Sequence, residues 1–276
     1  MSPPLADRIC LVAGASRGVG RGIARALGEA GATVIVTGRS SQAGAITDGR
    51  RETIEDAAHE VGAAGGRGHP YRCDHTSERE VDTLVSWALR RFGRIDVAVS
   101  SVWGGNEGHD GERFADGSAW GDPFWRRPVA RFGHLMETGP YAALLLARAV
   151  APAMVSARRG LLAFVSFSTE EGYLGDIHYD LATAGLNRLA LACGEELRGH
   201  GVTALALTPG RVRTERAADA GLDATESPLF AGRALAALAA DPDAARHAGR
   251  NLHAADLARL YGFTDIDGSQ PERFRP

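Results

Sequence analysis

The residues of this chain with the plainest chemical meaning are Gly14-Ala15-Ser16-Arg17-Gly18-Val19-Gly20, set between an apolar strand-like run and a helical pattern. Glycines there permit a tight turn and let backbone N–H groups approach a pyrophosphate, whose charge the first turn of a helix also favours. Glycine is common in the chain, at 35 residues, so it is the strand-turn-helix context that marks the loop as nucleotide-binding. The next strand ends Thr37-Gly38-Arg39-Ser40, with no Asp or Glu to accept a bare ribose hydroxyl. Arg17 and Arg39 can instead form a fork on a ribose 2′-phosphate, with Ser40 as a neutral donor, which points to NADP(H). Two solvated surface arginines are the plainer alternative. The histidines show no ligand spacing, and Cys10, Cys73 and Cys193 fall outside any Cys-x-x-Cys or Cys/His pattern. Neither a metal site nor a disulfide framework is expected.

The elements that must position these residues follow from periodicity. Short β-branched runs alternate with longer helical patterns, as in a parallel sheet wound through βαβ units. Strands are expected at Ile9–Ala13, Thr33–Thr37, Arg67–Cys73, Ile95–Ser100, Leu161–Ser166 and Val202–Leu207, with a short one near Asn251. Helices are expected at Arg21–Ala30, Glu52–Val61, Ser77–Phe92, Pro140–Val155, Ile177–Gly199 and Ser227–Ala240, followed by a polar tail. The fold class is therefore α/β: a three-layer, doubly wound parallel sheet of about seven strands in a single domain over residues 1–276. A net charge of −3, from 31 basic and 34 acidic residues, gives no footprint for nucleic acid or an anionic membrane, so a small-molecule ligand is expected. Met1–Arg8 does not read as a secretory signal, and the apolar run Tyr141–Val155, interrupted by Arg148, is too short to span a bilayer; a cytoplasmic location is expected. All 31 basic residues are arginine.

Gly14-x-x-x-Gly18-x-Gly20 resembles the glycine pattern of classical short-chain dehydrogenases/reductases, a Rossmann-fold family. Cys73-Asp74 resembles the family's acidic residue beside the adenine ring, and Pro209-Gly210-Arg211-Val212-Arg213-Thr214 its Pro-Gly motif on the nicotinamide side. Pro123-Phe124-Trp125, Glu226-Ser227-Pro228 and Asp256-Leu257-Ala258-Arg259-Leu260-Tyr261-Gly262 resemble the branch typified by dehydrogenase/reductase member 1, whose members extend the loop after the fourth strand. The resemblance implies cofactor contacts from Gly14, Ser16, Arg17, Gly18, Val19, Gly20, Arg39, Ser40, Asp74, Ser100, Pro209, Gly210, Val212 and Thr214. Residues 103–128 become an extended loop beside the active site, 211–240 a lid on the substrate side and 261–276 a tail. The helices at Pro140–Val155 and Ile177–Gly199 match the family's subunit interface, which implies a homodimer or homotetramer.

By the same resemblance Ser166 and Tyr179 occupy the catalytic serine and tyrosine positions, with Ser168 an alternative serine, but the lysine of Tyr-x-x-x-Lys is Thr183. Ser100-Ser101-Val102-Trp103 stands in place of Asn-Asn-Ala-Gly, and Gly139 aligns with the relay asparagine. A cation near a phenol lowers its pKa by about 1 to 3 units, so its loss slows phenolate-dependent proton transfer by about 10- to 1000-fold. Arg188, nine residues along the helix, faces away; Arg211 or Arg213 could reach in. Trp103, Trp120 and Trp125 could wall a planar or polycyclic substrate or simply anchor the loop, with Arg211 and Ser168 as further substrate contacts. Glu170 and Glu171 could act as acid or base, though loop carboxylates are usually just solvated. Three functions stay open: an NADP(H)-dependent carbonyl reductase, a non-redox dehydratase, isomerase or cyclase of secondary metabolism, and a non-catalytic nucleotide-binding protein.

Overall fold

The computed structural model describes residues 2–167 and 172–275. Seven parallel strands form one sheet in the order β3-β2-β1-β4-β5-β6-β7: β1 is Ile9–Ala13, β2 Thr33–Gly38, β3 Arg67–Arg72, β4 Val97–Ser100, β5 Gly160–Val165, β6 Val202–Thr208 and β7 Asn251–His253. The order reverses between β1 and β4, where doubly wound sheets open a crevice at the carboxyl ends of their strands. β1, β2 and β4 to β6 are buried on both faces, as their near-continuous apolar sequences require, whereas the edge strand β3 is polar and half-exposed and can carry Pro70.

One face is covered by α1 (Gly18–Glu29), α2 (Ile54–Ala63), α8 (Pro228–Ala240) and α9 (Ala254–Tyr261), whose core includes Ile23, Leu27, Val36, Phe230 and Leu235. The other is covered by α3 (Glu78–Phe92), α5 (Ala142–Ala157) and α6 (Ile177–Leu197), with Leu84, Leu146, Met154, Leu162, Phe164 and Leu186 between them and the sheet. Side-chain caps define where helices start: Thr53 and Asp56 form a reciprocal capping box on α2, Ser77 caps α3, and Asp176 caps α6.

Three expectations are corrected. The helix expected to begin at Pro140 starts at Ala130: α4 (Ala130–Met136) runs through a π turn at Glu137–Tyr141 into α5. Proline suits the first turn of a helix because it lacks an N–H, but the wider π turn lets Pro140 sit inside one. The continuous helix, 28 residues, is thus long and apolar enough to cross a membrane, contrary to the shorter run read from the sequence. Its inner face, Ala143, Leu146, Val150 and Met154, is core against the sheet. Secondly, only the first part of 211–240 could cover a cleft, since α8 is a core helix packed on α1. Thirdly, the segment read as a polar tail after Asn251 opens with the amphipathic α9, whose inner residues Leu257 and Ala258 are fully enclosed.

Phe164, on β5, is among the largest fully buried side chains. Phe164→Ala is expected to lower unfolding free energy in urea by about 3–5 kcal/mol, whereas Leu260→Ala on the exposed side of α9 changes it by less than about 0.5 kcal/mol.

Candidate active site

A cavity of about 470 Å³ lies at the carboxyl edge of the sheet, over the point where strand order reverses. Its floor is the turn between β1 and α1. Gly14 has φ +74°, and a Cβ there would lie 2.5 Å from the Ser101 carbonyl oxygen; a Cβ on Gly20 would lie 2.2 Å from the Gly14 carbonyl oxygen. Only glycine lets these backbones approach so closely. The turn exposes the Gly18 N–H at the start of α1, where the helix dipole favours an anion, and that N–H donates at 2.8 Å to the Glu215 carboxylate. The residues here therefore fit a bound dinucleotide: a glycine turn with no room for side chains, a backbone donor already carrying an anionic oxygen, and two arginines, Arg17 in that turn and Arg39 at the tip of β2.

Ser16, Arg17, Gly18, Val19, Arg39, Asp74, Pro209, Gly210, Val212 and Thr214 all line the cavity, together with Trp103, Ser166, Tyr179 and Thr183. Others sit behind it. Gly20 supports the turn from inside α1. Ser40 holds Arg17, receiving a hydrogen bond from its Nη2 at 3.2 Å. Ser100 is buried within β4, and Ser101 and Val102 supply the lining expected of it. Arg17 also donates to the Thr47 hydroxyl at 2.5 Å, and Arg39 pairs with Glu107 of the extended loop. Asp74 accepts from the Thr76 backbone N–H and hydroxyl at 3.0 and 2.8 Å. His75, which the sequence did not single out, lines the same end; its Nε2 lies 2.7 Å from the Thr37 hydroxyl, and burial pushes its pKa down to about 4, so it is neutral.

The other end of the cavity is built around Tyr179. Asp176 is fully buried, and its carboxylate accepts the Tyr179 N–H at 3.0 Å, capping α6 one turn before the phenol. Two guanidinium groups close on it: Arg127 Nη1 at 2.8 Å and Arg131 Nη1 at 2.5 Å. Arg127 further donates to the carbonyls of Asp122, Ala119 and Gly175, and Arg131 lies 3.5 Å over the Phe114 ring. The extended loop is thereby fastened to the start of α6. Burial alone would raise the Asp176 carboxyl, but the Tyr179 N–H, Arg131 and Arg127 together hold it below the usual carboxylate value.

Tyr179 itself is flanked by Trp103 at 5.2 Å and Trp120 at 5.4 Å between ring centroids, with Phe167 at 6.3 Å. Burial, reinforced by the Asp176 charge, pushes the phenol pKa above its ordinary value. Thr183 follows one turn later on the same face, and its hydroxyl donates back to the helix carbonyls of Tyr179 and Asp180 at 3.0 and 3.1 Å. The Ser166 hydroxyl, at the end of β5, donates to the Thr183 carbonyl at 3.1 Å. Trp103 packs over Gly139, where a Cβ would sit 3.2 Å from its ring, so the indole fills the room a longer side chain would need. Asn187 was also missed: it donates to the Phe167 carbonyl at 2.9 Å and accepts from Asn251 at 3.1 Å, tying the loop after β5 to α6 and β7.

Trp125 is 71 % exposed and meets Phe124 edge to face, whereas Trp120 is the indole that reaches Tyr179 from the extended loop's second half. His178, next to Tyr179 on α6, is buried near Phe132. Arg211 stands over the Phe274 ring at 4.6 Å, and Phe274 packs on Phe167 at 5.9 Å, so the last residues fold back toward the site. Ser168, Glu170 and Glu171 lie outside the described residues.

With this geometry in view, the comparisons with known proteins agree. Residues 8–224 match the model of the short chain dehydrogenase family, and the chain belongs to that family. It is an oxidoreductase of the short-chain dehydrogenase/reductase type with a nucleotide-binding Rossmann fold. It is 35% identical to the mouse protein "Dehydrogenase/reductase SDR family member 1", across 97% of this chain and 86% of that protein. A solved structure from Xanthomonas campestris superposes with a TM-score of 0.78 at 25% identity, covering 98% of this chain and 96% of the other. A metagenomic short-chain oxidoreductase solved in complex with NADP gives 0.67 at 27% identity, covering 87% and 94%.

Because the Asp176 carboxyl is held below its unfolded value, it contributes stability above about pH 4, and that contribution is lost as pH falls through the lower native value. Asp176→Asn is expected to flatten that acid limb in a series of melting curves. Arg127→Met, which breaks the buried pair while leaving Asp176 charged, is expected to cost about 3–5 kcal/mol in urea unfolding.

Proposed function

We propose that this protein is an NADP(H)-dependent carbonyl reductase in which Tyr179 acts as a proton donor without a lysine partner. The observation that carries this reading is the surroundings of Tyr179: a half-buried phenol, raised in pKa by burial and by Asp176, lining one cavity with the glycine turn. Such a phenol keeps its proton across neutral pH. It can give that proton to a substrate oxygen, which reduction requires, and is a poor base for alcohol oxidation. Gly14, Gly18 and Val19 would hold the pyrophosphate, Arg17 and Arg39 the 2′-phosphate, and Pro209, Gly210, Val212 and Thr214 the nicotinamide side. When bound, the cofactor supplies the hydride.

The chain's own residues supply the rest. Tyr179 points its proton at the carbonyl oxygen, and Ser166, once its hydroxyl leaves the Thr183 carbonyl, can donate to the same oxygen. Trp103, Trp120 and Phe167 exclude water around the phenol and favour a planar aromatic or polycyclic substrate, with Arg211 and Phe274 beyond them. The family lysine position is read as Thr183, whose hydroxyl proton is committed to its own helix. That commitment and the Ser166–Thr183 bond favour a second reading, a non-redox enzyme on the same scaffold. We further propose a cytoplasmic homodimer or homotetramer, supported by exposed Tyr141 and Leu144 along the α4–α5 helix and Leu181 on α6.

The test is single-turnover reduction of an aromatic ketone panel with NADPH labelled at the transferable hydride. Label is expected in the product, with a rate nearly flat from about pH 6 to pH 9 because the phenol stays protonated, and lost in Tyr179→Phe. Thr183→Lys is expected to lower the phenol pKa and raise alcohol oxidation by about 10-fold, the low end of what a cation beside a phenol gives, because burial and Asp176 oppose it. Tight NADPH binding with no label transfer in the wild type would favour the non-redox reading.

A further inference from the structure

We propose that Glu107 and Glu215 stand in for the cofactor's phosphates, and that Glu107 determines how strongly the protein selects NADP(H) over NAD(H). The inference rests on the nucleotide-binding reading above and goes beyond it by naming what the phosphates must displace. Glu215, the first residue of α7 (Glu215–Asp219), places a carboxylate oxygen 2.8 Å from the Gly18 N–H, at the helix terminus a pyrophosphate would use. Glu107, on the extended loop, pairs with Arg39 at the tip of β2, the cation nearest a ribose 2′-phosphate on this reading.

Both carboxylates line the cavity, and the segments that carry them are tied together across it. Asp48 accepts from the Gly108 N–H at 2.9 Å and pairs with Arg216, next to Glu215; Arg50 pairs with Asp219 at 2.9 Å. The extended loop, the loop after β2 and α7 therefore meet over the phosphate anchors in one ionic network. Binding becomes an exchange of one anion for another at each anchor, and affinity is the difference between the two.

The two exchanges differ in what they can distinguish. Every dinucleotide brings a pyrophosphate, so Glu215 must yield to NADPH and NADH alike. Only NADPH brings a 2′-phosphate, so only NADPH competes with Glu107 for Arg39. The Arg39–Glu107 pair thus weakens the preference for the phosphorylated cofactor that an open arginine fork would give.

Dissociation constants for NADPH and NADH, measured by calorimetry at one fixed ionic strength on the full chain, test this. The proteins are wild type, Glu107→Ala, Glu215→Ala, the isosteric Glu107→Gln and Glu215→Gln, and Glu112→Ala as a charge control on the same exposed loop. Glu107→Ala is expected to tighten NADPH by about 3- to 30-fold and NADH by less than about 2-fold. Glu215→Ala is expected to tighten both by a similar factor, the Gln variants to follow in the same direction, and Glu112→Ala to change neither. Equal tightening of both cofactors in Glu107→Ala, looser NADPH binding in either Ala variant, or no change in them would overturn the proposal while leaving the nucleotide-binding reading intact. A wild type that binds neither dinucleotide would remove that reading and the proposal together.

Discussion

A carboxylate taken fully out of water must be met by cations and hydrogen-bond donors, or it takes up a proton instead. Asp176 is met by Arg127, Arg131 and the Tyr179 N–H, and no one of these could be withdrawn without leaving a buried charge short of a partner. That requirement fixes more than one residue. Arg127 is the last residue but one of the extended loop, and its remaining donors hold the carbonyls of Ala119 and Asp122. The loop's course between them then brings Trp120 against Tyr179, and the Trp120 Nε1 donates to the Leu174 carbonyl just before the cap. A long, glycine-rich segment with few apolar anchors acquires a defined path because its far end is bonded to the residue that starts the helix carrying the phenol.

The parts legible in the sequence were those set by local rules. Strand positions followed from β-branched runs, and each of the seven was found within about two residues of its expected limits, as is usual for boundaries. The glycine turn was legible because steric exclusion acts within one turn of chain. Pro140 misled for a local reason as well: proline is common at a first turn, and nothing in its neighbours announces a π turn that lets it sit mid-helix.

What was not legible depends on contacts between distant segments. Arg127 and Arg131 reach Asp176 across 49 and 45 residues, and Arg39 reaches Glu107 across 68, so in a chain of 31 arginines no spacing marks these three pairings. Which of Trp120 and Trp125 reaches Tyr179 is of the same kind. Both indoles sit on one loop, and only the ionic fastening of that loop decides which turns inward. Asn187 was invisible because its partners, Phe167 and Asn251, come from the ends of two separate strands.

The absence of lysine from the whole chain bears on the chemistry in a way that goes beyond one position. A lysine can be buried beside a phenol and shed or regain its proton as the site requires, whereas a guanidinium stays charged in any protein environment. Burying arginine next to Tyr179 would therefore install a permanent charge, affordable only with a carboxylate to match it. The fold does bury arginines near this helix, but spends both on Asp176, whose own negative charge then acts on the phenol in the opposite sense to a lysine. The electrostatics that set the loop's path and the electrostatics that keep the tyrosine protonated are thus one arrangement. On the reductase reading, a mutation that restored a cation at position 183 would have to work against Asp176 as well as against burial, so its gain in phenolate would be smaller than the same cation achieves beside an isolated tyrosine.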